Sequence, residues 1–477
     1  MKYTYENINY DKLWSPSGDP FVDAGGYALN CLSDKFPQKD IMELIDFAID
    51  IYVNKWNSAI QRVFFNSKIT NNSVKGKQKI TQMHNYFEDI IKEKSYSHDG
   101  FCRILGFKTK LFQADRTNFP ISGAQSLTNF FHSFESGLML SKEAIIRVFF
   151  LPLGCEIIDG RLAIINSNVI SITKKHAESC CERNLTNIGH NVSSNILESK
   201  FHGPGTALFK FVDSVLDNCC HDKVSINLFL FNNGKDLDFE YHAIPETVFL
   251  FYKETQKSYC KSEWDDFVSH FYVLYSDCDY SGDKVIVKVN KNLELTIDVE
   301  NNSYWNEKID NLNIDNETKM SYRNIIYDRL LFGLSITKII LKWTETNHLC
   351  LPLINSYLYN IKKMKIETIN KINEIADFIL DNTPETDMKK VITSINGINT
   401  ASLLRRFILK VVEKNYTLGN ESAIVTVKEY TDYLFPETSS WMEIRDVLLI
   451  DIYQKLHEKQ VKIDSDEIDF ELTDDEN

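Results

Sequence analysis

The strongest constraint on this chain is a change of pattern near residue 310. Before it, β-branched and aromatic runs of strand length are bounded by turn residues, as in GRLAIINS, VSINLFLFNNG and LDFEYHAIP. Beyond the polar, Asn-rich segment 300–318, apolar residues recur at helical intervals near 317–344, 349–381, 397–415, 425–433 and 439–460. The sequence therefore predicts an α+β chain, with a mixed N-terminal α/β domain of short strands over 1–310 and a C-terminal helical bundle over 311–463.

Helical patterns also occur inside the N-terminal domain. The stretch 40–65 predicts an amphipathic helix, and a second helix-like stretch runs to Lys94. Its apolar positions at helical spacing are Ile41, Leu44, Ile45, Ala48, Ile49, Tyr52 and Trp56. The run AIIRVFFLPLG is instead rich in β-branched and aromatic residues, which favours a strand.

Length and apolar content place the chain among soluble proteins. Its 477 residues are enough for two or three domains with sizeable cores. The first residues lack the apolar stretch of a signal peptide, and the apolar run LLFGLSITKIIL is short and contains Lys338. We therefore expect a cytoplasmic protein without a membrane partner, in which the ten cysteines are reduced.

The net charge of −14 is unevenly distributed. Residues 464–477 contain eight acidic residues and no Lys or Arg, so the rest of the chain carries only −6. Such a segment predicts a disordered acidic tail. The overall acidity does not exclude a nucleic-acid partner, because only one face of a protein has to meet phosphates.

Candidate catalytic and metal-binding clusters are sparse. Asp277, Asp279 and Asp283 could bind a divalent cation, but they do not match an EF-hand loop, and a polar turn explains them better. The groups Cys180-Cys181 and Cys219-Cys220-His221 could in principle supply zinc ligands, although adjacent cysteines are poorly placed to chelate one ion. The sequence thus predicts no catalytic residues, no metal and no cofactor.

Near the N-terminus, the segment SGDPFVDAGG combines residues that shape the backbone. Proline fixes φ and glycine accepts positive φ, so the segment predicts a shaped loop ahead of the first long helix. It lacks the spacing of a phosphate-binding fingerprint, and an ordinary turn is the alternative. The candidate loop residues are Gly18, Asp19, Pro20, Phe21, Asp23, Gly25 and Gly26.

Two basic clusters are candidates for nucleic-acid contact, with a solvated surface as the alternative for each. The second cluster, nearer the C-terminus, lies on the helix TASLLRRFILKVVEK. In this helix Leu404, Ile408 and Val411 form a stripe that we expect to be buried. Three cations repeat every four residues on another face, a spacing that can follow a single strand. The first cluster contains Lys75, Lys77, Lys79, Lys108, Lys110 and Arg116, and the second contains Arg405, Arg406, Lys410 and Lys414.

Several blocks together resemble one family. The opening SGDPFVDAGGYAL, with FVDAG as its most specific part, is followed in the expected order by RTNFPISGAQSLTNFF, FFLPLGCEIIDGRLAIINS, LFLFNNGKDLDFEYHAIPETVFLF and KEYTDYLFPETSSWMEIRDVLLIDIYQKL. This order, spread from about residue 14 to 460, resembles the large subunit of the type I-B CRISPR interference complex, Cascade.

The resemblance implies a protein that is not an enzyme, within an RNA-guided DNA-surveillance complex. Its implied partners are the CRISPR guide RNA, double-stranded target DNA, the other Cascade subunits and a recruited helicase-nuclease. The large subunit would recognise the motif flanking the target, support duplex opening and hold the displaced strand, while the opening segment would dock at the 5′ end of the guide. A metal-dependent nuclease and a structural subunit without nucleic-acid contacts are the alternatives.

Two further expectations follow from the resemblance. Many relatives have two C-x-x-C pairs that form a zinc ribbon, whereas here only Cys102 remains, which implies a metal-free ribbon held by packing of Leu105, Phe107, Leu138 and Leu140. The bundle of relatives is often also made separately from an internal start. Met364 is the candidate start here and would give a 114-residue product.

Overall fold

The chain folds into two compact units. The structure is a computed structural model that describes residues 1–56, 59–122, 128–129, 135–190, 194–216, 223–234, 237–273, 278–281, 284–290, 293–298, 315–436 and 440–461. Unit 1 comprises Met1–Glu246 and Asn316–Arg323, and unit 2 comprises Thr247–Asp315 and Asn324–Asn477. Short antiparallel sheets precede the helical C-terminal part, so the predicted α+β class is confirmed. The acidic tail 464–477 lies outside the described residues.

Unit 1 contains seven helices and nine strands in its described residues before Glu246. The helices are α1 Tyr10–Trp14, α2 Pro20–Lys35, α3 Ile41–Asp50, α4 Gly76–Ile91, α5 Lys142–Phe149, α6 Ile170–Gly189 and α7 Pro204–Leu216. The strands are β1 His98–Phe101, β2 Lys108–Ala114, β3 Thr128–Asn129, β4 Glu135–Ser136, β5 Leu138–Leu140, β6 Glu156–Ile158, β7 Arg161–Ser167, β8 Ile226–Asn233 and β9 Leu237–Ile244.

The main sheet of unit 1 is an antiparallel meander in the order β6-β7-β8-β9. Its register pairs Ile164 with Phe229 and Phe229 with Tyr241. Leu162, Ile164 and Phe231 belong to a core that also takes in buried residues of α2, α3, α5 and α6. The predicted apolar stripe of residues 41–56 is buried in this core, because α3 continues through a π-helical turn, Ile51–Lys55.

The run AIIRVFFLPLG is not a strand. It forms α5 and a 3-10 turn, Leu151–Gly154. Ser141 begins α5 as its N-cap, where its hydroxyl accepts a hydrogen bond from Ala144 N at 3.3 Å. Every residue of α5 is buried. A fully buried short run has no alternation to distinguish helix from strand, which is why the sequence interpretation was wrong here.

The opening segment is a helix start and not a loop. Gly18 has φ +83°, but from Pro20 onward the chain is helical, with the Asp19 carboxylate as N-cap accepting from Phe21 N at 3.0 Å. Gly25 and Gly26 lie inside α2 and are buried. A Cβ on Gly25 would stand 2.1 Å from Arg147 O, so this glycine allows α2 and α5 to pack closely.

The Asp23 carboxylate of α2 is buried against the Arg147 guanidinium of α5. Arg147 Nη2 donates to Asp23 Oδ1 at 2.5 Å, and the same carboxylate accepts from Ser17 N and Gly18 N at 2.8 and 2.9 Å. Arg147 also donates to the carbonyls of Val22, Lys12 and Ser15. The FVDAGG segment is therefore an internal packing motif, and Phe21, Asp23, Gly25 and Gly26 do not form an exposed docking loop.

Unit 2 and the return segment of unit 1 contain the remaining described α-helices and strands, and a π-helical turn, Tyr430–Leu434, follows α17. The helices are α8 Glu246–Thr255, α9 Lys261–Ser269, α10 Asn316–Lys319, α11 Ile325–Leu331, α12 Thr337–Thr344, α13 Leu351–Asn360, α14 Ile366–Asp381, α15 Glu385–Asn396, α16 Ala401–Thr417, α17 Val427–Glu429 and α18 Trp441–Glu458. The strands are β10 Tyr272–Val273, β11 Cys278–Ser281, β12 Lys284–Asn290, β13 Leu293–Asp298 and β14 Arg323–Asn324.

The chain first passes from unit 1 to unit 2 after Glu246, well before the predicted boundary at residue 310, and residues 316–323 return to unit 1. Helices α8 and α9 belong with the later helices because their aromatic side chains pack there, Phe251 on Tyr357 at 5.7 Å and Phe267 on Trp343 at 5.4 Å between ring centroids. None of the described helices combines the length and apolar character needed to cross a bilayer.

Cys260 and Cys350 depart from the expectation that all thiols are reduced. They form a disulfide within unit 2, with 6.0 Å between their Cα atoms. Both are buried, Cys260 at the N-cap of α9 and Cys350 at the N-cap of α13. Ninety residues separate them, so sequence spacing did not reveal the pair.

A buried carboxylate in α18 predicts that stability depends on pH. Burial raises the pKa of Asp451 to about 7, despite the opposing effect of Lys455. The unfolded value is 3.8, so the folded protein binds the extra proton between about pH 4 and 7, and the free energy of unfolding falls as pH rises through this range. Asp451→Asn should remove this fall and stabilise the protein at about pH 8 by roughly 2–4 kcal/mol.

The measurement is urea unfolding of both proteins at several pH values. Asp446→Asn is the matched control, because Asp446 is a buried carboxylate of the same helix that accepts from Arg445 Nη2 at 2.6 Å. It should keep the wild-type pH dependence. Equal pH dependence in the wild type and Asp451→Asn would show that Asp451 is not the titrating group.

Candidate nucleic-acid interface

The first predicted basic cluster lies on more than one element. Lys75 is the N-cap of α4, and Lys77 and Lys79 are in its first turn, so these residues begin a helix. Lys75 and Lys77 are exposed and Lys79 is half-buried. Lys108 is the exposed first residue of β2. These four side chains remain candidates for contact with phosphates.

Lys110 and Arg116 have partners within unit 1. Lys110 Nζ lies 2.6 Å from Glu93 Oε2 and 5.0 Å from the centre of the Tyr96 ring. The Arg116 guanidinium lies 4.1 Å from the centre of the Phe65 ring and donates to Gly234 O. Arg116 is half-buried and joins distant parts of unit 1, which assigns it a structural role.

The second cluster lies on α16, as the sequence predicted. Thr400 is its N-cap and accepts from Leu403 N at 3.2 Å. The residues with buried side chains are Leu404, Ile408, Val411 and Asn415, which confirms the predicted apolar stripe and extends it by one turn. Asn415 Nδ2 donates to Ser422 O at 2.8 Å and so anchors the chain that follows the helix.

A groove of about 640 Å³ runs beside α16, with α14 and α15 as its other walls. Arg406, Lys410 and Lys414 line it at successive helical turns, and all three are exposed. α15 contributes Lys390, which pairs with Asp387 at 2.9 Å. The charged residues that line the groove are thus four cations and one carboxylate, a balance that favours an anionic ligand.

Apolar side chains line the same groove. Phe378 and Ile379 come from α14, Val391 from α15, and Leu403 and Phe407 from α16. A row of cations beside apolar and aromatic side chains suits a single nucleic-acid strand, since phosphates can pair with the cations while bases contact the apolar surface. We call this groove, lined by α14, α15 and α16, the basic groove.

Arg405 projects from a different side of α16. Its guanidinium lies 5.3 Å from the centre of the Phe435 ring, and Arg405 does not line the basic groove. Lys390 was not among the predicted site residues, because it lies between the predicted helical patterns 349–381 and 397–415. Pro384 followed by Glu385 and Asp387 in the first turn is in fact a helix start, and this signal could have identified α15.

The region around Cys102 is held together by packing. Cys102 is buried, and its Sγ accepts from Leu105 N at 3.4 Å and from Ser141 N at 3.3 Å. Packing of the four residues predicted to hold this region is confirmed. Leu105, Phe107 and Leu138 are partly buried against the unit 1 core, to which Leu140 belongs.

The other predicted clusters are only partly described. Asp277 and Asp283 lie outside the described residues, whereas Asp279 is in β11. Cys219, Cys220 and His221 also lie outside them. The nuclease alternative therefore gains no support from the described part of the chain.

Part of unit 2 is similar to a known protein family. The family model of the DevT C-terminal domain matches residues 341–477. This part of the chain is therefore similar to the DevT C-terminal domain. The matched region contains α14, α15 and α16, and with them the whole basic groove. No curated protein and no solved structure matches the chain.

Proposed function

We propose that this protein is the non-catalytic large subunit of a cytoplasmic, RNA-guided DNA-surveillance complex of the type I-B CRISPR kind. In this proposal it binds beside the guide RNA and other Cascade subunits, recognises the motif flanking the target, supports duplex opening and recruits a helicase-nuclease. The basic groove of unit 2 holds the displaced strand.

The observation that carries the proposal is the basic groove. Its cations repeat once per turn of α16, at Arg406, Lys410 and Lys414, and they share the groove with Phe378 and Phe407. A structural subunit without nucleic-acid contacts has no need for this arrangement. The ordered blocks that resemble the Cascade large subunit give the groove its context, since that subunit has to hold a displaced strand.

The basic groove predicts a salt dependence. Arg406→Glu, Lys410→Glu and Lys414→Glu together should weaken retention of target DNA by the guide-loaded complex. Each phosphate contact to a single strand contributes about 0.7 to the slope of log affinity against log salt, so loss of three contacts should reduce the slope by about 2. Guide loading should be unchanged. Gel mobility shifts at a series of salt concentrations measure both effects.

The matched control reverses three other exposed charges of unit 2, at Lys342, Lys365 and Lys428, which do not line the basic groove. This control should keep the wild-type slope if the groove makes the contacts. A slope that falls equally in both triple variants would show a general effect of net charge, and an unchanged slope in the groove variant would remove α16 from the DNA path.

A further inference from the structure

A second cluster of chemically active side chains is buried in unit 1, away from any role in the proposed function. Glu156 lies on β6, and His176 and Cys180 lie one helical turn apart on α6. His176 Nε2 is 3.5 Å from Glu156 Oε1 and 3.7 Å from Cys180 Sγ. Their ligand-type atoms all lie within 4.8 Å of one another. Three different metal-ligating groups therefore converge on one point.

The spacing of these atoms fits a zinc ion. Zinc bonds of about 2.0–2.3 Å in a tetrahedron place neighbouring ligand atoms roughly 3.3–3.8 Å apart. Both measured distances from His176 Nε2 fall in this range. The side chains of His176 and Glu156 are 3% and 11% exposed, and Cys180 is fully buried, so water does not compete strongly for the site.

The neighbouring cysteine faces elsewhere. Cys181 Sγ donates to Ala28 O of α2 at 3.6 Å and does not join the cluster. Adjacent cysteines on a helix point in different directions, so Cys180 and Cys181 do not chelate one ion, as the sequence indicated. The two ligands that join Cys180 are His176, one turn before it on the same helix, and Glu156 on a strand. Sequence spacing alone does not reveal that the strand residue lies beside the helix.

Arg183 donates to two side chains of the cluster. Its Nη2 lies 3.3 Å from Glu156 Oε2 and 3.5 Å from Cys180 Sγ. A guanidinium in this position stabilises a thiolate and orients the carboxylate, so that Glu156 Oε1 is turned towards His176. The Arg183 side chain is 46% exposed, which places the cluster one side chain away from solvent and gives an ion a way in.

We propose that Glu156, His176 and Cys180 bind one Zn²⁺ ion in unit 1, through Oε1, Nε2 and Sγ, while Arg183 donates hydrogen bonds to the glutamate and the cysteine. Zinc binds a thiolate and a neutral imidazole, so binding displaces any proton on Cys180 Sγ or His176 Nε2. The ion cross-links β6 to α6 and leaves its fourth position to water. The site is unrelated to the degenerate ribbon at Cys102, because it lies on different elements.

The test is metal analysis of the full chain, purified from zinc-supplemented medium and dialysed against metal-free buffer. Wild-type protein should hold close to one zinc per chain, and Cys180→Ser should hold at least ~10-fold less, in line with the loss of a ligand. The matched control is Cys181→Ser, the same change at the next residue, which should keep the wild-type content.

Cobalt provides a measurement on the wild-type chain that does not depend on a variant folding. Replacement of zinc by Co²⁺ should give a thiolate-to-cobalt charge-transfer band in the near ultraviolet and intense visible bands of a four-coordinate ion. A wild-type chain that takes up neither zinc nor cobalt would overturn the proposal. So would a Cys180→Ser variant that holds as much zinc as Cys181→Ser, or cobalt spectra without the thiolate band.

Discussion

Gly25→Ala is expected to destabilise unit 1 by more than about 3 kcal/mol, enough to prevent its stable folding. The added Cβ would stand 2.1 Å from Arg147 O and 3.0 Å from Leu151 N, and both are backbone atoms that no side-chain rotation can move away. Helix α2 would have to move away from α5, and the core that the two helices share would lose its close packing. Thermal unfolding followed by circular dichroism measures the change.

Gly189→Ala is the matched control. Gly189 is the last residue of α6, it is exposed, and a Cβ there meets no atom within 4 Å. Because alanine favours helix over glycine, this variant should be as stable as the wild type or slightly more stable. If Gly25→Ala unfolds at the same temperature as Gly189→Ala, α2 and α5 do not pack as closely as described.

Arg147→Met is expected to cost about 3–5 kcal/mol, since it leaves the buried Asp23 carboxylate without its cation. The Arg147 side chain is 1% exposed, and its loss also removes the hydrogen bonds that it donates to the carbonyls of Val22, Lys12 and Ser15. Urea unfolding of the purified chain measures the loss. Addition of Asp23→Asn should restore part of the stability, because the unpaired charge is then gone.

The control for this prediction is Arg62→Met, the same change at an arginine whose hydrogen bond to Gly160 O lies at the surface. It should cost less than about 1 kcal/mol. Equal losses in the two variants would argue that Arg147 is no more important than a surface arginine. No recovery in the Arg147→Met and Asp23→Asn double variant would argue that the hydrogen bonds to the carbonyls matter more than the ion pair.

Local patterns predicted α16 well. Leu404, Ile408 and Val411 recur at helical intervals, and the structure buries them while it leaves Arg406 and Lys410 exposed. In a helix with one apolar stripe, the sequence itself predicts which face is buried. The candidate groove required more, because Phe378 and Lys390 come from α14 and α15, and the sequence does not show which helices lie side by side.

The opening segment was misinterpreted for a related reason. Gly25 and Gly26 indicated a turn, because glycine lowers helix stability in isolation. The competing signal was Asp19 followed by Pro20, an N-cap and first-turn pair that begins a helix. What requires glycine is Arg147, more than 120 residues further along, and no local pattern reveals a long-range packing partner.

Arg116 shows the same limit for charged residues. Its position among Lys108 and Lys110 suggested an exposed basic cluster, but it stacks on Phe65 and donates to a carbonyl of a distant turn. Arginine readily stacks on aromatic rings and donates to carbonyls. An arginine in a basic cluster can therefore stabilise the fold instead of binding a phosphate.

The most direct test of the proposed function is photo-cross-linking from the basic groove. Ser394 is exposed and lines the groove, so a photoreactive amino acid at this position reports what occupies it. In the guide-loaded complex on matching target DNA, we expect cross-links to the displaced strand, and none when the target is mismatched to the guide. The same probe at the exposed Tyr359, outside the groove, should give no DNA cross-link. Two results would contradict the assignment of this chain as the strand-holding subunit. One is the absence of cross-links from Ser394 on matching target DNA, and the other is an equal frequency of cross-links on matching and mismatched targets.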